Sequence, residues 1–177
     1  MTIDQRTFRD ALGCFATGVT IVTTLDPAGR LLGITANSFS SVSLDPPLVL
    51  FSLARRAFSF KAFQRSRHFA VNVLAAGQSE LSDTFAKARS DKWAGVAFEV
   101  WDTDCPIIKG ALAQFECRTV STHDGGDHVV FIGAVERMAF DPEREPLVYC
   151  RGRYRELRPA AEEPAEAAAA GRVGATP

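Results

Sequence analysis

The sequence lacks an excess of either charge: 20 lysines and arginines stand against 21 aspartates and glutamates. Such a balance leaves no electrostatic footprint for nucleic acid or for an anionic membrane. It lacks any apolar run of the ~18 residues or more that a spanning helix needs, and the opening stretch MTIDQRTFRD is too polar for a signal peptide. A cytoplasmic chain with no membrane or nucleic-acid partner is therefore expected. Cysteine is sparse. Cys14, Cys105, Cys117 and Cys150 are scattered with no C-x-x-C, and in a reducing compartment they are expected as small buried hydrophobes, neither disulfides nor metal ligands. No G-x-G-x-x-G follows the first strand pattern, which excludes a Rossmann unit, and no G-x-S-x-G marks a nucleophile elbow. There is no internal repeat. What is present is 46% hydrophobic content over 177 residues, enough for one domain with a real core.

The chain opens with a helix pattern. Thr2 caps it, Gln5 completes a capping box, and Phe8, Ala11, Leu12 and Phe15 recur on a face predicted to pack inward, with Gly18 as the stop. Val19–Asp26 is rich in β-branched residues and reads as a strand. PAGR is a turn and LLGITANSF the return strand of a hairpin. The DPP at Asp45–Pro47 breaks the ladder, because proline has no N–H to give. Leu48–Leu53 reads as a strand buried on both faces. A short helix follows over Ser59–His68 with Ser59 at its cap and Phe60 and Phe63 inward, then a strand over Phe69–Ala75 and a helix over Gln78–Ala88. ALAQFECRTVSTH and HVVFIGAVERMAF read as two long strands joined through DGGD, strong hairpin chemistry because glycine accepts positive φ. Pro146–Leu157 reads as a last strand, and the tail from Pro159 to Pro177 as a disordered extension. The expected fold is mainly β with peripheral helices, a small closed or partly closed barrel.

Between two strand patterns lies ITANSFSSVSLDPPL, from Ile34 to Leu48. Thr35, Asn37, Ser38, Ser40, Ser41 and Ser43 crowd where a core strand would carry valines, and neither alternating face is a clean core face. Small polar side chains leave room for another molecule to approach the backbone. A flat, heteroatom-rich ligand such as an isoalloxazine ring suits that edge, and donors beside it would stabilise the charge of its reduced form. A solvated serine-rich edge strand is the other reading. In LARRAFSFK, Arg55, Arg56 and Lys61 surround Ser59 at a predicted helix start, where free N–H groups favour an anion. Lys87, Arg89 and Lys92 form a second basic group. Each group also reads as a solvated patch. His128 opens a strand after the DGGD turn, where it can orient a nicotinamide carboxamide or a pyrophosphate, or donate to a developing charge. It also reads as a turn histidine in water. No second ligand pair accompanies His123, Asp124, Asp127 and His128, so no metal is expected.

GCFATGVTIVTT, then GITANSFSSVSLDPPLVLFSL, then SF at a helix start and GDH opening a strand, resemble the flavin reductase-like family, the short-chain NAD(P)H:flavin oxidoreductases that feed reduced flavin to two-component monooxygenases. The resemblance runs from Phe8 to Leu157. It implies a split β-barrel of the FMN-binding type over residues 1–158, a homodimer with flavin near the subunit interface, FMN or FAD, NADH or NADPH as co-substrate, and a separate monooxygenase partner. It implies that Thr35, Ala36, Asn37 and Ser38 line the flavin, that Ser41, Val42 and Ser43 edge its ring, and that Ser52, Leu53 and Ala54 run beside the ribityl chain. Ser59 and Phe60 would take the phosphate end, closed by Phe85, Ala86 and Arg89. His128 would face the nicotinamide as the catalytic histidine, with Tyr154 covering it. The stretch around Trp93–Lys109 and the tail depart from the pattern. The implied chemistry is a hydride transfer in which no side chain is a nucleophile. A non-exchanging flavin carrier and a ligand-binding barrel without turnover are the rival readings.

Overall fold

The computed structural model describes residues 3–87 and 91–157. Its elements are α1 (Gln5–Leu12), β1 (Thr17–Gly18), β2 (Thr20–Leu25), β3 (Leu31–Ala36), β4 (Ser40–Leu44), β5 (Pro47–Ala54), α2 (Phe60–Arg65), β6 (His68–Val73), α3 (Ser79–Ala86), β7 (Phe98–Val100), β8 (Pro106–Ile108), β9 (Ala113–Gly125), β10 (His128–Phe140), β11 (Val148–Cys150) and β12 (Arg153–Arg155). None of the helices is long and apolar enough to cross a membrane among the described residues.

Seven strands form one antiparallel sheet in the order β3-β2-β6-β9-β10-β5-β4. Its two outermost strands, β3 and β4, are consecutive in the chain and joined only by Asn37, Ser38 and Phe39. That link spans at most about 14 Å from Ala36 to Ser40, whereas six strand spacings in a flat sheet would part the edges by roughly 29 Å. The sheet must therefore curl until its edges approach, and among the described residues no ladder joins them. The result is a barrel split along one seam. The long β9–β10 hairpin turns at Gly126, whose φ of 71° lies in the left-handed region that glycine enters without steric cost.

Inside the curl Phe51 stacks on Phe131 with ring centroids 5.1 Å apart and meets Phe69 edge-on at 5.0 Å and Phe63 at 5.6 Å. All four rings are buried. The two smaller sheets, β1-β11-β12 and β7-β8, flank the barrel.

Several expectations are corrected. The cap of α1 is Asp4, whose carboxylate accepts from the Thr7 N–H at 2.8 Å; Thr2 lies outside the described residues. The helix ends at Gly13, not at Gly18, which pairs with Val148 in β1. Its apolar face does not pack inward: Phe8 is 53%, Leu12 59% and Phe15 78% exposed, because no element among the described residues covers it. The polar stretch is not one strand but two at opposite edges of the sheet, since the seam needs a bend at Asn37–Phe39. The DPP stretch does not end a ladder; it turns the β4–β5 hairpin, with Leu44 opposite Pro47 at the start of β5, where a missing N–H is tolerated. β5 is not buried on both faces. Phe51 and Leu53 face the core while Ser52 and Ala54 stay half-buried. The last strand is two, β11 and β12, divided at Arg151 and Gly152, both with positive φ. Cys14 is exposed and Cys150 partly so, whereas Cys105 and Cys117 are buried. Burial pushes these two thiols up to about 11 and about 12, so they stay protonated and inert at neutral pH. The tail after Pro159 and Arg89 lie outside the described residues.

Candidate functional site

A cavity of about 590 Å³ opens at the seam, within the range usual for small-molecule sites. One wall is Gly33–Ser38, from β3 and the bend that leaves it; the other is Ser52–Ala54 of β5, continued by Ala57, Phe58 and Ser59. Phe85, Ala86 and Lys87 at the end of α3, with Lys92 and Trp93, close one end, and Gly125, His128 and Val130 border the cavity from the β9–β10 hairpin.

The frame of this cavity is internally bonded. The Ser38 hydroxyl accepts from the Ser52 N–H at 2.9 Å and donates to the Ser52 carbonyl at 3.1 Å, bridging the seam without a ladder. The Thr35 hydroxyl donates to the Ser82 carbonyl at 2.6 Å and ties β3 to α3. Gly33 allows α3 to come close: a Cβ there would stand 2.5 Å from Phe85 Cε1. Phe85 in turn meets Trp93 edge-on at 4.9 Å, and the Trp93 indole donates to the Leu31 carbonyl at 2.9 Å. The Lys92 ammonium donates to the carbonyls of Phe85 (2.8 Å) and Gly33 (3.2 Å). Arg55, expected as an anion contact, instead staples the hairpin turn: it bonds Asp124 at 2.5 Å and the Gly126 carbonyl at 3.1 Å. Arg56 and Lys61 are exposed outside the cavity lining.

Two polar groups differ from this frame. Ser59 is 3% exposed, and its Oγ has no hydrogen-bond partner among the described residues; it makes no capping bond to α2. A buried hydroxyl without a partner carries a desolvation penalty, and Ser59 is one of the residues that line the cavity. The second is His128, half-buried, with Nδ1 2.7 Å from Asp127 Oδ1. The hydrogen bond from His128 holds the Asp127 carboxyl below the usual carboxylate range. An ionised acceptor requires Nδ1 to carry the proton, which leaves Nε2 as the ring's remaining hydrogen-bonding atom.

The structure thus brings Thr35, Ala36, Asn37, Ser38, Ser52, Leu53, Ala54, Ser59, Phe85, Ala86 and His128 to one cavity. It does not bring Ser41, Val42 or Ser43, which lie on the edge strand β4, nor Phe60, which packs against the core. Tyr154 borders a second depression of about 320 Å³, which shares Thr35, Asn37 and Ala86 with the first. Its hydroxyl donates to Asp83 Oδ1 at 2.6 Å and lies 2.9 Å from Ser82 Oγ; burial and the Asp83 carboxylate push its phenol above the usual range. Gly33, Phe58, Trp93 and Gly125 were not singled out from the sequence. Of these only Gly125, in the DGGD turn, carried a local signal, and that signal was for the hairpin and not for the cavity.

The model of the flavin reductase like domain matches residues 12–158. The chain is 44% identical over 151 residues to the FMN reductase (NADH) SmoA of Agrobacterium fabrum, covering 85% of each chain. It is 41% identical over 165 residues to HsaB, the reductase subunit of a flavin-dependent monooxygenase of Mycobacterium tuberculosis, covering 92% of this chain and 88% of HsaB. Among solved structures it is similar to the NADH:FAD oxidoreductase SgcE6 of Streptomyces globisporus in complex with NAD and FAD fragments, with a TM-score of 0.85, 37% identity and coverage of 92% of this chain and 99% of that one. On its fold, its seam cavity and these likenesses, the chain belongs to the flavin reductase family.

Proposed function

We propose that the chain is the reductase component of a two-component flavin-dependent monooxygenase, passing a hydride from NADH or NADPH to FMN or FAD. The observation that supports this most directly is the seam cavity, with an unpartnered buried hydroxyl at Ser59 and a histidine fixed by Asp127 at its border. The residues present fit a flavin. The backbone of Thr35–Ser38 and of Ser52–Ala54 would hold its ring edge and side chain, while Ser59 and Lys87 would meet phosphate oxygens. Arg89 remains a proposed phosphate contact, as Tyr154 remains a proposed cover. A bound flavin supplies the electrophilic ring that accepts a hydride from nicotinamide.

The chain's own residues do the rest. Asp127 fixes the tautomer and orientation of His128, which then presents Nε2 to the co-substrate. The Ser38–Ser52 bridge and the Thr35–Ser82 bond hold both walls, so that ring placement is set before binding. Leu53 and Phe85 keep one side of the site apolar and limit water.

Purified protein mixed with NADH or NADPH and a molar excess of free FMN, FAD or riboflavin is expected to consume nicotinamide through many turnovers of the added flavin. Consumption limited to one equivalent would instead mark a non-exchanging carrier, and none with any flavin would defeat the reading. A colourless preparation should be tested after FMN is added back. The exposed Phe8 and Leu12 of α1, with Phe15 just after it, suit a second copy as cover. Sedimentation should give a dimer mass, and Leu12→Asp should shift it toward monomer; a monomeric wild type would remove that part of the proposal.

A further inference from the structure

Phe58 is 65% exposed. A single exposed phenylalanine is ordinary on a protein surface; this one lines the cavity at the seam. Among the described residues its ring has no aromatic or cationic partner. Nor does it sit on a slack loop. The Arg55 N–H donates to the Asp127 carbonyl at 2.9 Å, the Ala57 N–H to the Ala54 carbonyl at 2.9 Å, and the Phe60 N–H to the Ala57 carbonyl at 3.0 Å. The Arg55 side chain pins the same segment to the Gly126 carbonyl and Asp124. The ring is therefore offered on ordered backbone, and a planar partner would lose little entropy in the protein by stacking on it. Next in the chain is Ser59, with its buried unpartnered hydroxyl, and Lys87 is exposed on the same cavity. A free aromatic face, a free hydroxyl and a cation on one cavity match the parts of an adenine nucleotide: the base stacks and the phosphate oxygens accept.

We propose that Phe58 is the adenine platform of this site and so a determinant of dinucleotide over mononucleotide selectivity. The proposal rests on the reading of the cavity as a flavin and nicotinamide site. Adenosine comes from two sources, FAD or the nicotinamide dinucleotide, and the chemistry at Phe58 is common to both.

The test compares wild type, Phe58→Ala and Phe58→Tyr in two ratios of kcat/KM. In one, FAD is measured against FMN at fixed NADH; in the other, NADH is measured against reduced nicotinamide mononucleotide at fixed FMN. Phe58→Ala should lower one ratio about tenfold, the size of a single base–aromatic stack, and Phe58→Tyr should restore it. A fall in the first ratio assigns the platform to FAD, and a fall in the second to the nicotinamide dinucleotide. Adenosine monophosphate is the equilibrium probe. Its saturation-transfer signal on wild type should vanish in Phe58→Ala. Both ratios unchanged within twofold, or an adenosine monophosphate signal indifferent to Phe58, would overturn the proposal. A protein that reduces no flavin yet binds adenosine monophosphate through Phe58 would instead defeat the reductase reading and leave the platform standing. Because Phe58 is exposed, the variant should keep the wild-type melting temperature; a lowered one, with both ratios intact, also counts against the platform.

Discussion

His128→Ala lowers kcat/KM for NADH about a hundredfold while flavin affinity stays within about twofold. The size follows from the role. Misplacing a reacting ring by about 1 Å can cost about 10²-fold, and no covalent step depends on the imidazole. The selectivity follows from the position. His128 opens β10 directly opposite Ala54, the last residue of β5, at the border of the cavity. The proposed flavin contacts Thr35–Ser38 and Ser52–Ala54 belong to β3, the bend after it and β5, not to the β9–β10 hairpin that carries His128. Single-turnover reduction at saturating flavin, paired with a direct flavin titration, separates the two effects. Should the variant lose flavin while its NADH kinetics at saturating flavin match wild type, the histidine serves the flavin and the assignment fails.

Phe51→Ala lowers stability by about 3–5 kcal/mol, a large part of the roughly 5–15 kcal/mol of a typical domain. For a chain of this size that corresponds to a melting temperature lower by roughly 6–20 °C. Phe51 is fully buried and touches three other rings, Phe63, Phe69 and Phe131, so its removal opens a void that several elements must try to fill. The loss reaches the site through β5. Ser52, the neighbouring residue, holds both hydrogen bonds to Ser38 across the seam. Thermal unfolding followed by circular dichroism reads the first effect, and flavin titration below the transition reads the second. A melting temperature within about 2 °C of wild type would show that the aromatic cluster is not the centre of the core.

Much of this was legible in the chain. The β-branched run at Val19–Asp26 and the glycine pair before Asp127 announced a hairpin architecture, because period and turn chemistry are local signals. His128, Ser59 and Thr35–Ser38 were legible as a constellation through resemblance, and the fold gathers them. What failed was set by contacts distant in sequence. The stripe Phe8–Leu12–Phe15 shows that a helix is amphipathic, not which surface covers it. Ser41–Ser43 share composition with Thr35–Ser38, yet the bend at Asn37–Phe39 sends them to the opposite edge. Nothing local encodes that bend; it follows from closing seven strands. Arg55 looked like an anion contact because its partner Asp124 lies 69 residues away. The exposure of Phe58 was equally invisible, since a phenylalanine beside a helix start reads as core.

The strap of three residues between β3 and β4 has one more consequence. A cleft made from the two rims of a single sheet has no hinge. Its width is fixed by how many staves the curl contains and by the Ser38–Ser52 clasp, not by the swing of one body against another. Evolution can retune such a cleft only by changing what stands on its rims, which is why ligand choice in this architecture should track individual side chains and not the size of a closing motion.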